Sequence, residues 1–226
     1  MSNTGFRIYF KVNRPEKELV ESFKDLPVAN IADSVNRFFV MNGLNPYNEV
    51  PLLGTAITVR ARISDNLLFH KALEIAQPGD VIVVDAGGET INALTGEIMM
   101  KSAMKKGIVG FVIDGAIRDV AGVRKFTNFS VYAKGVTPKG PFKDGPGEIN
   151  VPISCGGTVV NPGDIIVGDA DGIVVVSPAE AAEIQKKAKA KLQSEIEKFE
   201  MIANGTEDKS WVDKALKERG CEFIYD

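Results

Sequence analysis

The chain has 226 residues, enough for one substantial hydrophobic core with a terminal extension. Hydrophobic residues make up 44% and charged residues 25% of the sequence, and the formal net charge of -3 provides no basic surface for nucleic acid. No apolar run reaches the ~20 residues that cross a bilayer, and residues 1–11 lack the apolar core of a secretion signal. We therefore expect a cytoplasmic protein that binds neither nucleic acid nor membrane.

Residue usage restricts the kind of metal site that the chain can form. Cys155 and Cys221 match no zinc-binding spacing, and His70 is the only histidine. A metal ion would therefore be held mainly by oxygen, which indicates Mg²⁺ or Mn²⁺. We interpret Cys155, in an apolar glycine-rich segment, as a structural thiol, and His70 as a structural or partly exposed residue of an amphipathic helix.

The first predicted elements are two short helices and a strand. Residues from Pro15 to Phe23 have helical spacing, with the proline at the first position, where its missing N–H costs nothing. A second helix is predicted from Val28 to Phe39. The segment from Gly54 to Ile63 alternates apolar and polar residues and is rich in β-branched side chains, which predicts a half-buried strand. Residues 1–26 are assigned to an N-terminal extension and residues 27–177 to an α/β core.

A repeated phrase marks two further strands. Pro78-Gly79-Asp80 and Pro162-Gly163-Asp164 each precede a short apolar strand that ends in Asp. Each phrase predicts a tight turn that leads into a buried strand. We expect the two strands to occupy comparable positions in adjoining layers.

The main candidate site combines a helix start with an Arg-Asp pair. A helix is predicted from Thr95 to Lys106, and Gly96 near its first turn leaves backbone N–H groups open at the positive end of the helix dipole, where they bind anions. The next apolar strand begins at Gly107 and ends at Arg118-Asp119. A strand, helix, parallel-strand crossover brings both strand ends to one sheet edge, so the two features meet. They indicate a site for an anion and a metal, and a surface ion pair is the alternative.

The C-terminal part contains one acidic turn and one long helix. Asp169-Ala170-Asp171-Gly172 is interpreted as a hairpin turn rather than a metal site. Residues from Pro178 to Ala203 follow a 3.6-residue period, so residues 178–226 are assigned to a helical extension. Glu195 lies on the apolar stripe of this helix. Its carboxylate either reaches solvent at the edge of the stripe or enters a site, including one of a neighbouring chain.

Three segments, taken together and in order, resemble a known family. They are Val83-Val84-Asp85-Ala86-Gly87-Gly88, Gly96-Glu97-Ile98-Met99 and Val112-Ile113-Asp114-Gly115-Ala116-Ile117-Arg118-Asp119. Over roughly residues 27–205 the chain is similar to the RraA-like family, which includes 4-hydroxy-4-methyl-2-oxoglutarate aldolases, oxaloacetate decarboxylases and regulators of RNase E. The resemblance implies an α/β fold with a β/β/α core like the swivelling phosphohistidine domain, flanked by N- and C-terminal helices. It also implies a homotrimer or homohexamer with sites between subunits.

The resemblance implies specific roles in substrate binding. The loop whose backbone binds the pyruvyl carboxylate corresponds to Gly96, Glu97, Ile98 and Met99. Arg118 corresponds to the arginine that binds the substrate. The implied substrate is a small 2-oxo acid.

It also implies a metal ligand and two catalytic acids. Asp119 corresponds to the residue that binds a divalent metal, Mg²⁺ first and Mn²⁺ second. Glu97 corresponds to the acid that holds metal-bound water, and Glu195 to the acid donated across the subunit interface. The RNase E regulators lack the acid after the arginine, so Asp119 favours the enzymatic branch.

Two positions depart from the family pattern. Gly122 stands where the aldolases carry an acid, and Thr95 stands where a tryptophan is common. The resemblance predicts a metal-dependent lyase that cleaves a 4-hydroxy-4-methyl-2-oxoglutarate type acid to pyruvate and decarboxylates oxaloacetate, and these departures bear on the substrate. A non-catalytic protein-binding regulator is the second hypothesis. A methyltransferase is the third hypothesis. It is ranked last because the chain lacks a glycine-rich turn with an acidic ribose ligand.

Overall fold

In a computed structural model, residues 3–225 are described, and over this range the chain forms thirteen strands and seven helices. The helices are α1 Lys17–Glu21, α2 Val28–Ser34, α3 Leu67–Ile75, α4 Glu97–Lys105, α5 Val120–Val123, α6 Ala181–Ala203 and α7 Ser210–Glu218. The strands are β1 Phe6–Ile8, β2 Val40–Met41, β3 Asn45–Pro46, β4 Leu52–Ala61, β5 Asp80–Asp85, β6 Ala93–Thr95, β7 Gly110–Ile117, β8 Ser130–Val136, β9 Gly147–Ile149, β10 Ile153–Cys155, β11 Thr158–Val160, β12 Ile165–Asp169 and β13 Gly172–Val176.

Eleven of the described strands form one mixed sheet. Its main path runs β2-β13-β12-β4-β5-β7-β8-β3, while β9 pairs with β4 and β1, and β6 pairs with β7. The central strands β4, β5, β7 and β8 are parallel neighbours, and β12 and β13 extend the sheet in antiparallel fashion. The predicted α/β fold class is confirmed.

Alternating side chains of the central strands divide the core into two layers. Ile82 and Val84 of β5 pack with α3 and α4 on one face, in a cluster that includes Phe69 and Met100. Val81 and Val83 pack on the other face, with residues of the β10-β11 hairpin. Because every second side chain of a strand points to the same face, a strand that is apolar throughout is covered on both sides.

The two repeated phrases occupy one sheet, not adjoining layers. Both β5 and β12 pair with β4, β5 in parallel on one side and β12 in antiparallel fashion on the other. The layer prediction was therefore wrong, because two similar strands can flank a common neighbour. The turn between β12 and β13 agrees with the hairpin interpretation, since Asp171 N donates to Asp169 Oδ1 at 2.9 Å.

Several element boundaries differ from the sequence prediction for local reasons. The second helix ends at Ser34, and Asn36 and Arg37 adopt positive φ, which breaks the helical path before Phe39. The sequence predicts one strand from Val151 to Val160, but the chain folds back there as a hairpin. Gly156 and Gly157, both with positive φ, make the reversal.

The C-terminal helices extend beyond the core. The first part of α6 packs on α2, and its Ile184 and Ala188 belong to a core cluster that also contains residues of β13. Beyond it, Phe199 and Ile202 are exposed, as is Trp211 of α7. No helix within the described residues is both long enough and apolar enough to span a bilayer.

Candidate active site

The β6-α4-β7 connection brings the predicted anion cradle and the Arg-Asp pair together. Short strand β6 lies parallel to the end of β7, with Thr95 beside Ile117. Arg118 N donates to Thr95 O at 3.0 Å, so Gly96 and Arg118 leave the sheet side by side. The predicted convergence of these segments is present.

Asp119 is held directly against the start of α4. Its backbone has a positive φ of 63°, and its Oδ2 accepts a hydrogen bond of 3.0 Å from Glu97 N. A Cβ on Gly96 would overlap the Asp119 carboxylate and contact Arg118, so a side chain at this position would push the carboxylate away from the helix. Glycine is therefore required here for close approach, not for backbone conformation.

These residues line a cavity of about 340 Å³. One wall is formed by the start of α4 with the Arg-Asp pair, and the opposite wall comes from α3 and the loop after β8. The cavity is lined by Asn66, His70, Ala93, Leu94, Thr95, Gly96, Ile98, Met99, Arg118, Asp119, Gly140, Pro141 and Lys143. A cavity of this size accommodates a small organic acid.

The loop after β8 is attached to the start of α3 by backbone hydrogen bonds. Asn66 N donates to Phe142 O at 3.0 Å, and Phe142 N donates to Ser64 O at 2.8 Å. Buried Asp65 accepts from the backbone N–H groups of Asp144 and Gly145 at 2.6 and 2.9 Å. These bonds position Pro141 and Lys143 in the wall of the cavity.

The charges of the cavity are mostly positive. Arg118 Nε lies 3.8 Å from Asp119 Oδ2, and both side chains are 43% exposed. Lys143 adds a second cation beside His70. Burial lowers the pKa of His70, and the positive charge of Lys143 lowers it further. The cavity therefore favours an anionic ligand, with Asp119 available for a cation.

The absence of a side chain at Gly122 leaves a space that Glu97 fills. A Cβ on Gly122 would overlap the Glu97 carboxylate, so this carboxylate occupies the space beside α5 that a larger residue at position 122 would fill. Glu97 Oε1 also pairs with Lys101 Nζ at 2.7 Å. The chain thus has one carboxylate in this space, supplied by α4 and not by α5.

The other predicted site residues have different surroundings. Ile98 is 82% exposed, whereas Met99 packs partly against the core while lining the cavity. The predicted backbone cradle is partly used, because Asp119 already accepts the Glu97 N–H. The first-turn amides of Ile98 and Met99 have no partner within the helix, as at any helix start.

Glu195 does not line this cavity within its own chain. It is half-buried on α6, where its Oε2 accepts a hydrogen bond of 2.9 Å from Asn30 Nδ2 of α2. Within a single chain, Glu195 therefore lies at the edge of the apolar stripe, which is the first of the two positions predicted for it. Its assignment to a neighbouring subunit's site stays a prediction.

Sequence reasoning missed three residues of the opposite wall. His70 was interpreted as structural, and Asn66 and Lys143 were not selected, yet all three line the cavity. The sequence predicts a long glycine- and proline-rich loop over residues 134–150, whose length suggests function, subunit contact or mobility, but it does not place this loop at the cavity. Its path across the cavity depends on tertiary hydrogen bonds that periodicity does not reveal.

The donors present fit a hard divalent cation with few protein ligands. Asp119 offers an exposed carboxylate, and the carboxylate of Glu97, whose backbone N–H binds Asp119, pairs with Lys101. Mg²⁺ is usually bound by one or two carboxylates, with substrate and water completing its shell. Within residues 3–225, no group of three or more His, Cys, Asp or Glu side chains is arranged to hold a metal ion. An ion at Asp119 would therefore depend on ligands other than the chain's own acids.

A second groove and a buried cysteine lie outside this cavity. A groove of about 790 Å³ lies beside Tyr132 and Asp169, but Tyr132 OH already donates to Asp169 O at 2.7 Å. Burial raises the pKa of Tyr132, which keeps its hydroxyl protonated. Cys155 is fully buried, and burial together with Asp114 and Asp85 raises the pKa of its thiol well above the usual value. This agrees with a structural thiol and not a nucleophile.

Comparison with known proteins identifies the family. Residues 28–175 match the sequence profile of the RraA-like family, described as Aldolase/RraA. Since this match covers most of the chain, the protein belongs to the RraA-like family.

Named relatives include a provisionally named aldolase and RraA-type inhibitors of RNA processing. A Halalkalibacterium halodurans protein provisionally named 4-hydroxy-4-methyl-2-oxoglutarate aldolase is 40% identical over 182 residues, covering 80% of this chain and 86% of its own length. The crystal structure of Streptomyces coelicolor RraAS2, an unusual member of the RNase ES inhibitor RraA family, is similar with a TM-score of 0.73 and 31% identity, over 82% of this chain and 97% of that one. The RNA-processing inhibitor RraA from Thermus thermophilis matches with a TM-score of 0.61 and 30% identity, over 66% and 92%.

Proposed function

We propose that the protein is a divalent-metal-dependent lyase that cleaves a 4-hydroxy-2-oxo acid of the 4-hydroxy-4-methyl-2-oxoglutarate type to pyruvate and decarboxylates oxaloacetate. One observation carries the proposal: the start of α4, Arg118 and Asp119 converge on a cavity that accommodates a small acid. The provisional name of the 40% identical relative supports the same reaction.

Both reactions leave negative charge on a keto acid. The cationic side chain and the backbone N–H groups of the cavity are proposed to bind this charge. When the carbon–carbon bond breaks, its electron pair moves into the keto group to give an enolate. Arg118 binds this oxygen or the adjacent carboxylate by charge-assisted hydrogen bonds. The amides of Ile98 and Met99 hold the carboxylate at the positive end of the α4 dipole.

Asp119 is the proposed ligand of a divalent metal, Mg²⁺ first and Mn²⁺ second, because carboxylate oxygen is a donor that both ions prefer. The bound ion supplies Lewis-acid stabilisation of the charge on the keto oxygen. The Glu97 N–H bond fixes the Asp119 carboxylate toward the cavity. Gly96 makes this approach possible.

Retro-aldol cleavage also needs a base for the proton of the 4-hydroxyl group. We propose that Glu97, whose backbone N–H binds the Asp119 carboxylate, or Glu195 of a neighbouring subunit assists the removal of this proton. Oxaloacetate decarboxylation loses carbon dioxide and requires no such base. The two reactions should therefore respond differently to changes at Glu97.

The proposed assembly is a homotrimer or homohexamer with sites between subunits. Exposed apolar side chains next to the cavity support this proposal, because such side chains commonly mark contacts with another chain. They are Leu67, Ile98, Val136 and Phe142.

A non-catalytic regulator is the alternative, favoured by the structural similarity to RraA-type RNA-processing inhibitors. Such a role needs only an exposed docking surface. Under this alternative, the protein shows no metal-dependent lyase activity and captures a nuclease or a helicase. The exposed carboxylate of Asp119 beside Arg118 favours the enzyme.

Pyruvate formation from a panel of 2-oxo acids tests the proposal. We expect turnover of oxaloacetate and 4-hydroxy-4-methyl-2-oxoglutarate with Mg²⁺, measured by coupled pyruvate detection, and its loss on addition of a chelator. Restored turnover after addition of excess Mg²⁺ is the control, because it shows that the chelator acts by removing the metal. Equal turnover with and without chelator, or no turnover of any acid, would contradict the proposal.

A further inference from the structure

Two residues of the cavity wall carry buried polar atoms that have no hydrogen-bond partner. Within residues 3–225, three buried side-chain atoms lack a hydrogen-bond partner, namely Asn66 Oδ1, Thr95 Oγ1 and Asn150 Oδ1. Two of these three residues, Asn66 and Thr95, line the candidate cavity. Because an unpaired buried polar atom costs roughly 1–3 kcal/mol, two of them beside one cavity indicate a missing partner.

The orientation of Asn66 is fixed by its other hydrogen bond. Asn66 Nδ2 donates to Leu94 O at 2.7 Å. A carbonyl oxygen only accepts, so this bond requires the amide nitrogen at that position and leaves Oδ1 as an acceptor. Leu94 directly precedes Thr95, so both unpaired oxygens belong to the same part of the wall.

The two atoms define the chemistry of their partner. Asn66 Oδ1 requires a donor, whereas the Thr95 hydroxyl both donates and accepts. A carboxylate would satisfy Thr95 but would repel the Asn66 oxygen. A hydroxyl group satisfies both, because it donates to Asn66 and accepts from Thr95.

We infer that Asn66 and Thr95 recognise a hydroxyl group of the ligand and thereby select hydroxylated 2-oxo acids over their unsubstituted counterparts. This inference rests on the proposed function, and it assigns these residues to the 4-hydroxyl group of the substrate. In the bound state, the Thr95 hydroxyl turns into the cavity by rotation about its Cα–Cβ bond. Both residues are specificity determinants, because they bind the hydroxyl group of the substrate before its proton is removed.

Thr95 is well suited to a substitution test. It is 2% exposed in β6, and valine has the same branched shape without the hydroxyl. Thr95→Val therefore removes the proposed contact, while Thr95→Ser keeps the hydroxyl and serves as the matched control. Melting temperatures of both variants report whether the fold is retained.

Two probes differ only at the relevant group: 4-hydroxy-2-oxoglutarate and 2-oxoglutarate. Their dissociation constants are measured by calorimetry with a chelator present, which prevents turnover under the proposed function. We expect wild-type protein and Thr95→Ser to prefer the hydroxylated acid by about 10-fold, the value of one good hydrogen bond. We expect Thr95→Val to reduce this preference below about 2-fold, with 2-oxoglutarate affinity unchanged.

The outcomes separate this inference from the proposed lyase. A hydroxyl preference that depends on Thr95, in a protein without Mg²⁺-dependent pyruvate formation, would support the inference and contradict the lyase. Pyruvate formation with a preference that Thr95→Val leaves intact would support the lyase and overturn the inference. Equal affinity for the two probes in wild-type protein, including no binding of either, would also overturn it.

Discussion

At the scale of single residues, His70 links the candidate cavity to pH. Its imidazole lines the cavity, is half-buried, and lies in the field of Lys143. Burial first and the charge of Lys143 second lower its pKa in the folded protein. The neutral imidazole is therefore the form that the folded chain favours.

His70 is therefore predicted to lower the stability of the folded state at acidic pH. The unfolded side chain has a pKa of about 6.5, so as the pH falls through that value the unfolded chain binds a proton that the folded chain resists. The folded state consequently loses stability in acid, and above the unfolded pKa the effect is absent. Urea unfolding of wild-type protein and His70→Gln at several pH values should show the variant gaining relative stability as the pH is lowered below about 6.5. A difference that is constant with pH, or that changes in the opposite direction, would refute the account of His70.

At the scale of elements, helices α4 and α5 share the space between Glu97 and Gly122. The Glu97 carboxylate lies where a Cβ on Gly122 would be. Since this carboxylate is the end of a flexible side chain, a larger residue at position 122 can displace it without disturbing the helices. The pair therefore acts as one unit in positioning the proposed base.

Gly122→Ala tests this relation. We expect the variant to keep its melting temperature but to lower turnover of 4-hydroxy-4-methyl-2-oxoglutarate by about 10-fold or more, a typical effect of displacing a general base. Oxaloacetate decarboxylation should change little, because it needs no base. Ala121→Ser, at the exposed neighbouring position, is the control. Equal loss of both reactions in Gly122→Ala would argue against Glu97 as the base.

The elements also show which parts of the site could be predicted. The sequence predicted that Gly96, Arg118 and Asp119 meet, because a parallel crossover determines where consecutive strands end. It did not predict that His70 and Lys143 face them. Those residues reach the cavity through the hydrogen bonds between Phe142 and the start of α3, which leave no periodic pattern in the chain.

The same distinction applies to element boundaries. The bounds of strand β4 and helix α6 were predicted closely, because both are long periodic segments. The prediction that β4 is half-buried was wrong, since residues 54–59 are buried on both faces of the sheet. The β10-β11 hairpin was predicted as one strand, although Gly156 and Gly157 lie in its middle. Glycine conformation, and not hydrophobic pattern, decided the fold at that point.

At the scale of the whole molecule, the proposed assembly would combine residues of neighbouring subunits in one site. Ile98 is exposed beside the cavity, and Glu195 is half-buried on α6 of the same chain. If Glu195 serves a neighbour's site, each complete site combines Asp119 of one subunit with Glu195 of another. Defects in these two residues should then complement each other.

Coexpression of Asp119→Asn and Glu195→Gln chains with different tags tests this arrangement. If Glu195 is the acid that assists proton removal, each variant alone should be inactive in retro-aldol cleavage, while doubly purified mixed assemblies should regain activity at interfaces that combine two intact residues. Glu195→Gln retains an oxygen that can accept from Asn30, so the packing of α6 on α2 is preserved. Mixed assemblies with no more activity than the separate variants would contradict a site shared between subunits.

The central claim is that Asp119 holds the divalent metal of a lyase, and the activity of Asp119→Asn tests it most directly. Asparagine tolerates the positive φ of this position and retains an oxygen for the Glu97 N–H, so the local structure should persist. Asp171→Asn, in the exposed β12-β13 turn, controls for the loss of an acid. We predict that Mg²⁺-dependent pyruvate release from both oxaloacetate and 4-hydroxy-4-methyl-2-oxoglutarate falls below about 1% of wild type in Asp119→Asn and is unchanged in Asp171→Asn. Turnover retained in folded Asp119→Asn would contradict the claim.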